Sequence, residues 1–150
     1  MTTIPVLISL KSNAHRDEAA EDETMSMLTS GQLEVDDTTA IIRYEESIDE
    51  SLPPQPVEIR VENETVTMNR GGSYSAQMVF RLGCRYEGQY HTPYGDMDLA
   101  LYCTRLGYDL GDDGGALELG YQLDINGKFA AMHEMELHLF RQGDDNESQG

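Results

Sequence analysis

Between Cys84 and Cys103 apolar and polar residues alternate, and they do so on both sides of a single turn. About Thr92-Pro93-Tyr94-Gly95, the residues Cys84, Tyr86, Gly88 and Tyr90 fall opposite Cys103, Leu101, Leu99 and Met97. The intervening positions carry Arg85, Glu87, Gln89, Asp96 and Asp98. Successive side chains of a strand point to opposite faces, so this stretch reads as an antiparallel hairpin with one buried face. A chain built from such units is confined to all-β architecture.

The pattern recurs along the chain. Ile4, Val6, Ile8 and Leu10 alternate in a first strand. Gly31, Leu33 and Val35 lead to a turn at Asp36-Asp37 and return through Ala40, Ile42 and Tyr44. Val57, Ile59 and Val61 turn at Asn63-Glu64 and come back as Val66 and Met68, with only polar residues on the other face. Tyr74, Ala76, Met78 and Phe80 form the next strand. A turn with Gly83 left-handed then sets Phe80 opposite Cys84 and Met78 opposite Tyr86. For the last hairpin, a three-residue turn with Gly127 left-handed places Leu123 against Phe129 and Leu119 against His133. This register keeps His133, Met135, Leu137 and Leu139 on the apolar side.

Two segments read as loops and one as a tail. Residues 13–24 hold five carboxylates, Asp17, Glu18, Glu21, Asp22 and Glu23, and form an acidic loop, with a short helix from Asp17 to Ala20 as the alternative. Residues 48–56 hold Pro53, Pro54 and Pro56 and form another loop. Residues 144–150 make a polar, disordered tail. What remains is about ten strands in up-and-down order and no helix, within one domain over residues 1–143. A one-faced meander of that length must stack into two sheets or close on itself. Closure removes the edge strands, so an antiparallel barrel is the expected fold.

Charge excludes several functions. The chain carries 28 acidic and 10 basic residues, for a net charge of −18, and its lysines are Lys11 and Lys128 alone. Phosphate backbones and anionic lipid need clustered Lys and Arg, so neither nucleic acid nor a membrane surface is an expected partner. No apolar run is long enough for a signal peptide core or a membrane span. Cys84 and Cys103 make no zinc motif; opposed in the hairpin, they read as two buried, reduced thiols of a cytoplasmic protein, with a cross-strand disulfide as the alternative. The four histidines are scattered, so no metal is expected, and no phosphate-binding or dinucleotide glycine motif calls for a cofactor.

A set of short motifs in fixed order also carries a family resemblance. These are Val6-Leu7-Ile8-Ser9-Leu10-Lys11, Tyr44-Glu45-Glu46, Arg70-Gly71, Met78-Val79-Phe80 with Gly83, and Tyr90-His91-Thr92-Pro93-Tyr94-Gly95. From about Ile4 to Arg141 the chain resembles the bacterial DUF1934 family, YwiB-like proteins of unknown function. The resemblance implies a small β-barrel of lipocalin-like or calycin-like form. It implies no activity and no catalytic residue.

Function should show as polar residues where the alternation demands apolar ones. Arg70 continues the face of Val66 and Met68, and Glu46 that of Ile42 and Tyr44. Arg70 is level with Val57, and a strand pairing that also sets Glu46 level with Val57 would let the two long side chains meet. A buried guanidinium needs a partner, which here is either Glu46 in a structural ion pair or the acid group of a ligand. The alternative is an arginine at the barrel mouth that reaches solvent. Tyr44, Tyr86, Tyr90 and Tyr121 share the inner face, as core residues or as the lining of a cavity. His133 is the one histidine there, and no acid/base partner can be placed beside it.

The expectation from these residues is a non-enzymatic barrel binding a small, partly apolar, anionic ligand in its interior. Arg70, Glu46, Tyr44, Tyr86, Tyr90, Tyr121 and His133 are the candidate ligand residues, and no catalytic residue is assigned. Two alternatives stand beside it. One is an enzyme using Glu46 or His133 as acid/base. The other is a solid-core interaction module whose protein partner the sequence does not name.

Overall fold

A computed structural model describes residues 2–16, 21–47 and 50–142. Its elements are β1 (Thr2–His15), β2 (Glu23–Val35), β3 (Thr39–Glu46), β4 (Gln55–Glu62), β5 (Thr65–Arg70), β6 (Ser75–Phe80), β7 (Arg85–Thr92), β8 (Gly95–Gly111), β9 (Gly114–Ile125) and β10 (Lys128–Arg141). Each strand pairs antiparallel with its neighbours in sequence, and β1 also pairs with β10, so the sheet closes into a barrel. No helix occurs among the described residues. The expected ten-stranded antiparallel barrel is the fold observed.

The alternation works as the hydrophobic effect requires. Ile4, Val6, Ile8 and Leu10 of β1 are buried, as are Val57, Ile59 and Val61 of β4 and Leu117 and Leu119 of β9. Together with Phe80, Met68, Leu101 and Leu137 they form one continuous apolar core along the barrel axis. Each such side chain contributes about 1.5–3 kcal/mol on leaving water. Three tight turns follow their residue chemistry. Asn63 and Glu64 both have positive φ and join Glu62 to Thr65 in two residues. Asp36 Oδ1 accepts from the backbone N–H of Thr38 and of Thr39. Gly83 is left-handed at φ +76, as its turn was read to need.

Several local expectations are corrected. Strand β1 reaches His15 and β2 begins at Glu23, so the acidic loop read at 13–24 is shorter; residues 17–20 lie outside the described chain, and so does the tail 144–150. Gln55 and Pro56, read as loop, open β4: Pro56 pairs with Glu45 and Gln55 with Glu46. The β6–β7 register is offset by two residues. Ala76 faces Tyr90 and Ser75 faces His91, and no pairing reaches Phe80. The cause is the Arg81–Cys84 turn, which folds onto β8: Gly83 N–H donates to the Cys103 carbonyl and Cys103 N–H to that of Cys84. An offset of two keeps every side chain on its face, so the interior is unchanged.

The last hairpin uses the tighter turn. Asn126 and Gly127 have φ of 52 and 80, and Ile125 pairs with Lys128. A bulge between Phe129 and Ala131 then moves the register by one. His133 therefore faces Tyr121 rather than Leu119, Ala131 faces Leu123, and Phe129 is exposed. Cys84 and Cys103 are both free, but Cys84 is exposed and only Cys103 is buried, because the chain leaves the wall at the Gly83 turn.

Candidate functional site

The polar inward residues gather towards one end of the barrel. There β3, β5, β7 and β9 finish, and β4, β6 and β10 begin. Arg70 ends β5 and pairs with Val57, while Glu46 ends β3 and pairs with Gln55. Glu46 thus lies one pleat beyond the level expected for it, yet the long side chains still meet. Arg70 Nε is 3.1 Å from Glu46 Oε1. The approach is an ion pair but lacks the alignment of a hydrogen bond, and both atoms are buried. The Tyr44 hydroxyl is the third buried polar atom without a hydrogen bond among the described residues.

Tyr44 and Tyr121 are each only 5% exposed. Burial pushes the Tyr44 hydroxyl up to about 12, with the nearby Arg70 charge acting against the rise and Glu46 adding to it. Burial also raises Tyr121, and Arg70 again opposes. The Tyr121 ring stacks on His133 at 5.1 Å and 6°, and packs on Phe80 at 4.9 Å. Burial, with the charges of Arg16 and Arg70, holds His133 below its ordinary value, so its imidazole is neutral at pH 7. Among the described residues it makes no hydrogen bond that would fit it for acid/base work. Tyr44, Glu46, Arg70, Tyr121 and His133 therefore form one electrostatic group.

The other two tyrosines lie beside that group. Tyr86 and Arg70 line a common groove of about 430 Å³ with Gln89 and His91, opened where β6 and β7 part. Gly88 makes room for Tyr86: a Cβ there would sit 2.9 Å from the Tyr86 hydroxyl oxygen. Tyr90 is half-buried and packs with Tyr74 at a ring distance of 6.4 Å. Tyr74 is itself clamped by Gln55, which donates to its carbonyl and accepts from its N–H, both at 2.8 Å. Gln55 is buried and was hidden in the sequence among the prolines.

A second groove, of about 590 Å³, opens through the wall where β2 and β3 diverge, between Thr29–Gln32 and Arg43–Glu45. Tyr44 and Val57 form part of its floor. Nothing in the alternation pointed to it; Gly31 was the only local sign. Among the described residues no three metal-ligating side chains cluster, and no helix is long and apolar enough to cross a membrane.

A family model described as a domain of unknown function, DUF1934, matches residues 8–137. The chain belongs to that family. Among solved structures, the crystal structure of the YwiB protein from Bacillus subtilis is similar to this DUF1934 chain, with a TM-score of 0.82. The match covers 94% of each chain at 19% identity, which speaks for the fold alone. No curated protein matches the chain.

Proposed function

We propose that this DUF1934 barrel binds a small, partly apolar, anionic molecule at the end where Arg70 lies. The observation that carries the reading is the buried Tyr44 hydroxyl, left without a hydrogen bond beside the Arg70–Glu46 ion pair, whose facing atoms Nε and Oε1 are buried but not aligned as a hydrogen bond. Such groups are costly unless something satisfies them. Arg70 is suited to two tasks at once. Its Nε faces Glu46, while the side chain keeps 28% exposure and lines the groove with Tyr86. An arginine held by one carboxylate still presents donors to a second acid group, and its fork matches carboxylate or phosphate. Tyr86 supplies an apolar ring beside it.

The core beneath Tyr121 is filled by Phe80, Met68 and Leu101. The ligand accordingly sits at the mouth and groove instead of deep on the axis. That same filled core favours the second reading, a solid module that acts through its surface.

Native mass spectrometry of protein purified from its own cells tests the proposal. The expected result is a retained small molecule, lost from Arg70→Lys while the melting temperature holds. Lysine keeps the charge opposite Glu46 but not the fork. Protein that arrives empty, and whose Arg70→Lys variant differs in nothing, would leave the surface reading.

A further inference from the structure

Strand β2 outruns its partner. Only Gln32–Val35 pair with β3, through Ala40–Arg43. From Glu23 to Gly31 the strand pairs with β1, and among the described residues no backbone group bonds to its other edge. An unpaired edge offers N–H and C=O groups to any extended chain, and proteins usually blunt it with charge, proline or a bulge.

This edge is not blunted. Thr24 to Gly31 reads Thr-Met-Ser-Met-Leu-Thr-Ser-Gly, without a charge or a proline, in a chain of net charge −18. Leu28 is 66% exposed and Met25 50%. Two carboxylates of β2 that flank the strip are already engaged: Glu23 pairs with Arg16 at 2.8 Å, and Glu34 with Arg43.

We propose that this edge pairs with the same edge of a second copy, β2 antiparallel to β2, in a two-fold dimer. Charge selects the occupant. A basic strand would find no free carboxylate on the strip to recognise. Two copies of a polyanion can approach closely only where neither carries charge, and two-fold symmetry sets the strip against itself. Main-chain hydrogen bonds would then continue each sheet into the other.

Sedimentation velocity of the full chain at about 100 µM tests this. The expected species has twice the chain mass, and it tightens as salt screens the like-charged surfaces. Leu28→Glu sets two like charges near the axis and should weaken association at least about tenfold, with an unchanged β spectrum and melting temperature. Ser26→Glu should do the same if Leu28→Glu perturbs the fold. Phe140→Ser, an exposed apolar residue on β10, should leave association intact. Backbone amides of Thr24–Leu28 should gain exchange protection at high protein concentration. The proposal is overturned by a monomer at every salt concentration, by association that salt weakens, or by a dimer sensitive to Phe140→Ser and indifferent to both β2 variants.

Discussion

Arg70 and Glu46 belong to strands separated by β4, and their side chains meet at 3.1 Å. Val57 pairs with Arg70 on one side and with Tyr44 on the other, so the ion pair spans the end of β4 from inside the barrel. Removing one partner leaves a charge in a site where Glu46 is only 13% exposed. Arg70→Met or Glu46→Leu alone should cost about 3 kcal/mol, at the low end for breaking a buried pair because Arg70 keeps some solvent. The double variant should cost much less than the sum, measured by urea unfolding in a double-mutant cycle. Additive losses would show that the two charges do not interact.

The neutral state of His133 has a consequence for stability against pH. Its folded pKa lies below the ordinary 6.5, first through burial and then through Arg16 and Arg70. In the unfolded chain the imidazole takes its proton near pH 6.5, and in the folded chain only at lower pH. The unfolded state binds more protons in that window, so stability present above pH 6.5 is lost as pH falls through it. Denaturant unfolding between pH 7 and 5 should show a shallower loss for His133→Gln than for the parent. Equal slopes would remove His133 as a source.

The thiols should separate kinetically. Cys84 is exposed and should react with a maleimide within the dead time of hand mixing, one per chain. Cys103 is buried, burial raises its pKa, and its thiol donates to the Arg105 carbonyl at 3.4 Å. It should react only on unfolding. Two fast thiols would mean that β8 opens readily at Cys103, where its pairing with β9 shifts register before Arg105.

Gly31 sits where β2 and β3 begin to diverge. A Cβ there would collide with the Arg43 carbonyl oxygen and lie 2.7 Å from Ile8 Cδ1, both fixed by the wall. Gly31→Ala should therefore destabilise the protein by about 1–3 kcal/mol in a chemical melt. A neutral result would show that the β2–β3 seam can widen at no cost.

What could be read in advance follows the range of the forces involved. Alternation is local, so the strands and the inward sets of β1, β4 and β5 were plain from their residues. Face assignment survives a register offset of two, which is why Met78 and Tyr86 were placed inward although they do not pair. The Phe129–Ala131 bulge depends on how β10 must meet β9 and β1 together, and no local signal announces it. The same holds for Cys84, whose exposure comes from the Gly83 turn docking on β8. Among the candidate residues, the meeting of Arg70 and Glu46 was legible because an inward charge demands a counter-charge. The clamp of Gln55 on Tyr74 was not, because a glutamine beside prolines looks like any loop residue.

The pairing of β1 with β10 sets a timetable for folding. β1 is made first, yet half of its hydrogen-bonding edge waits for residues 132–141, which pair with His15 back to Val6. Until those residues leave the ribosome the wall stands open along that edge of β1, with Val6, Ile8 and Leu10 half covered. A nascent chain stalled before Met132 should therefore be captured by chaperones and cleaved by proteases. Release of the last strand should make it resistant in one step.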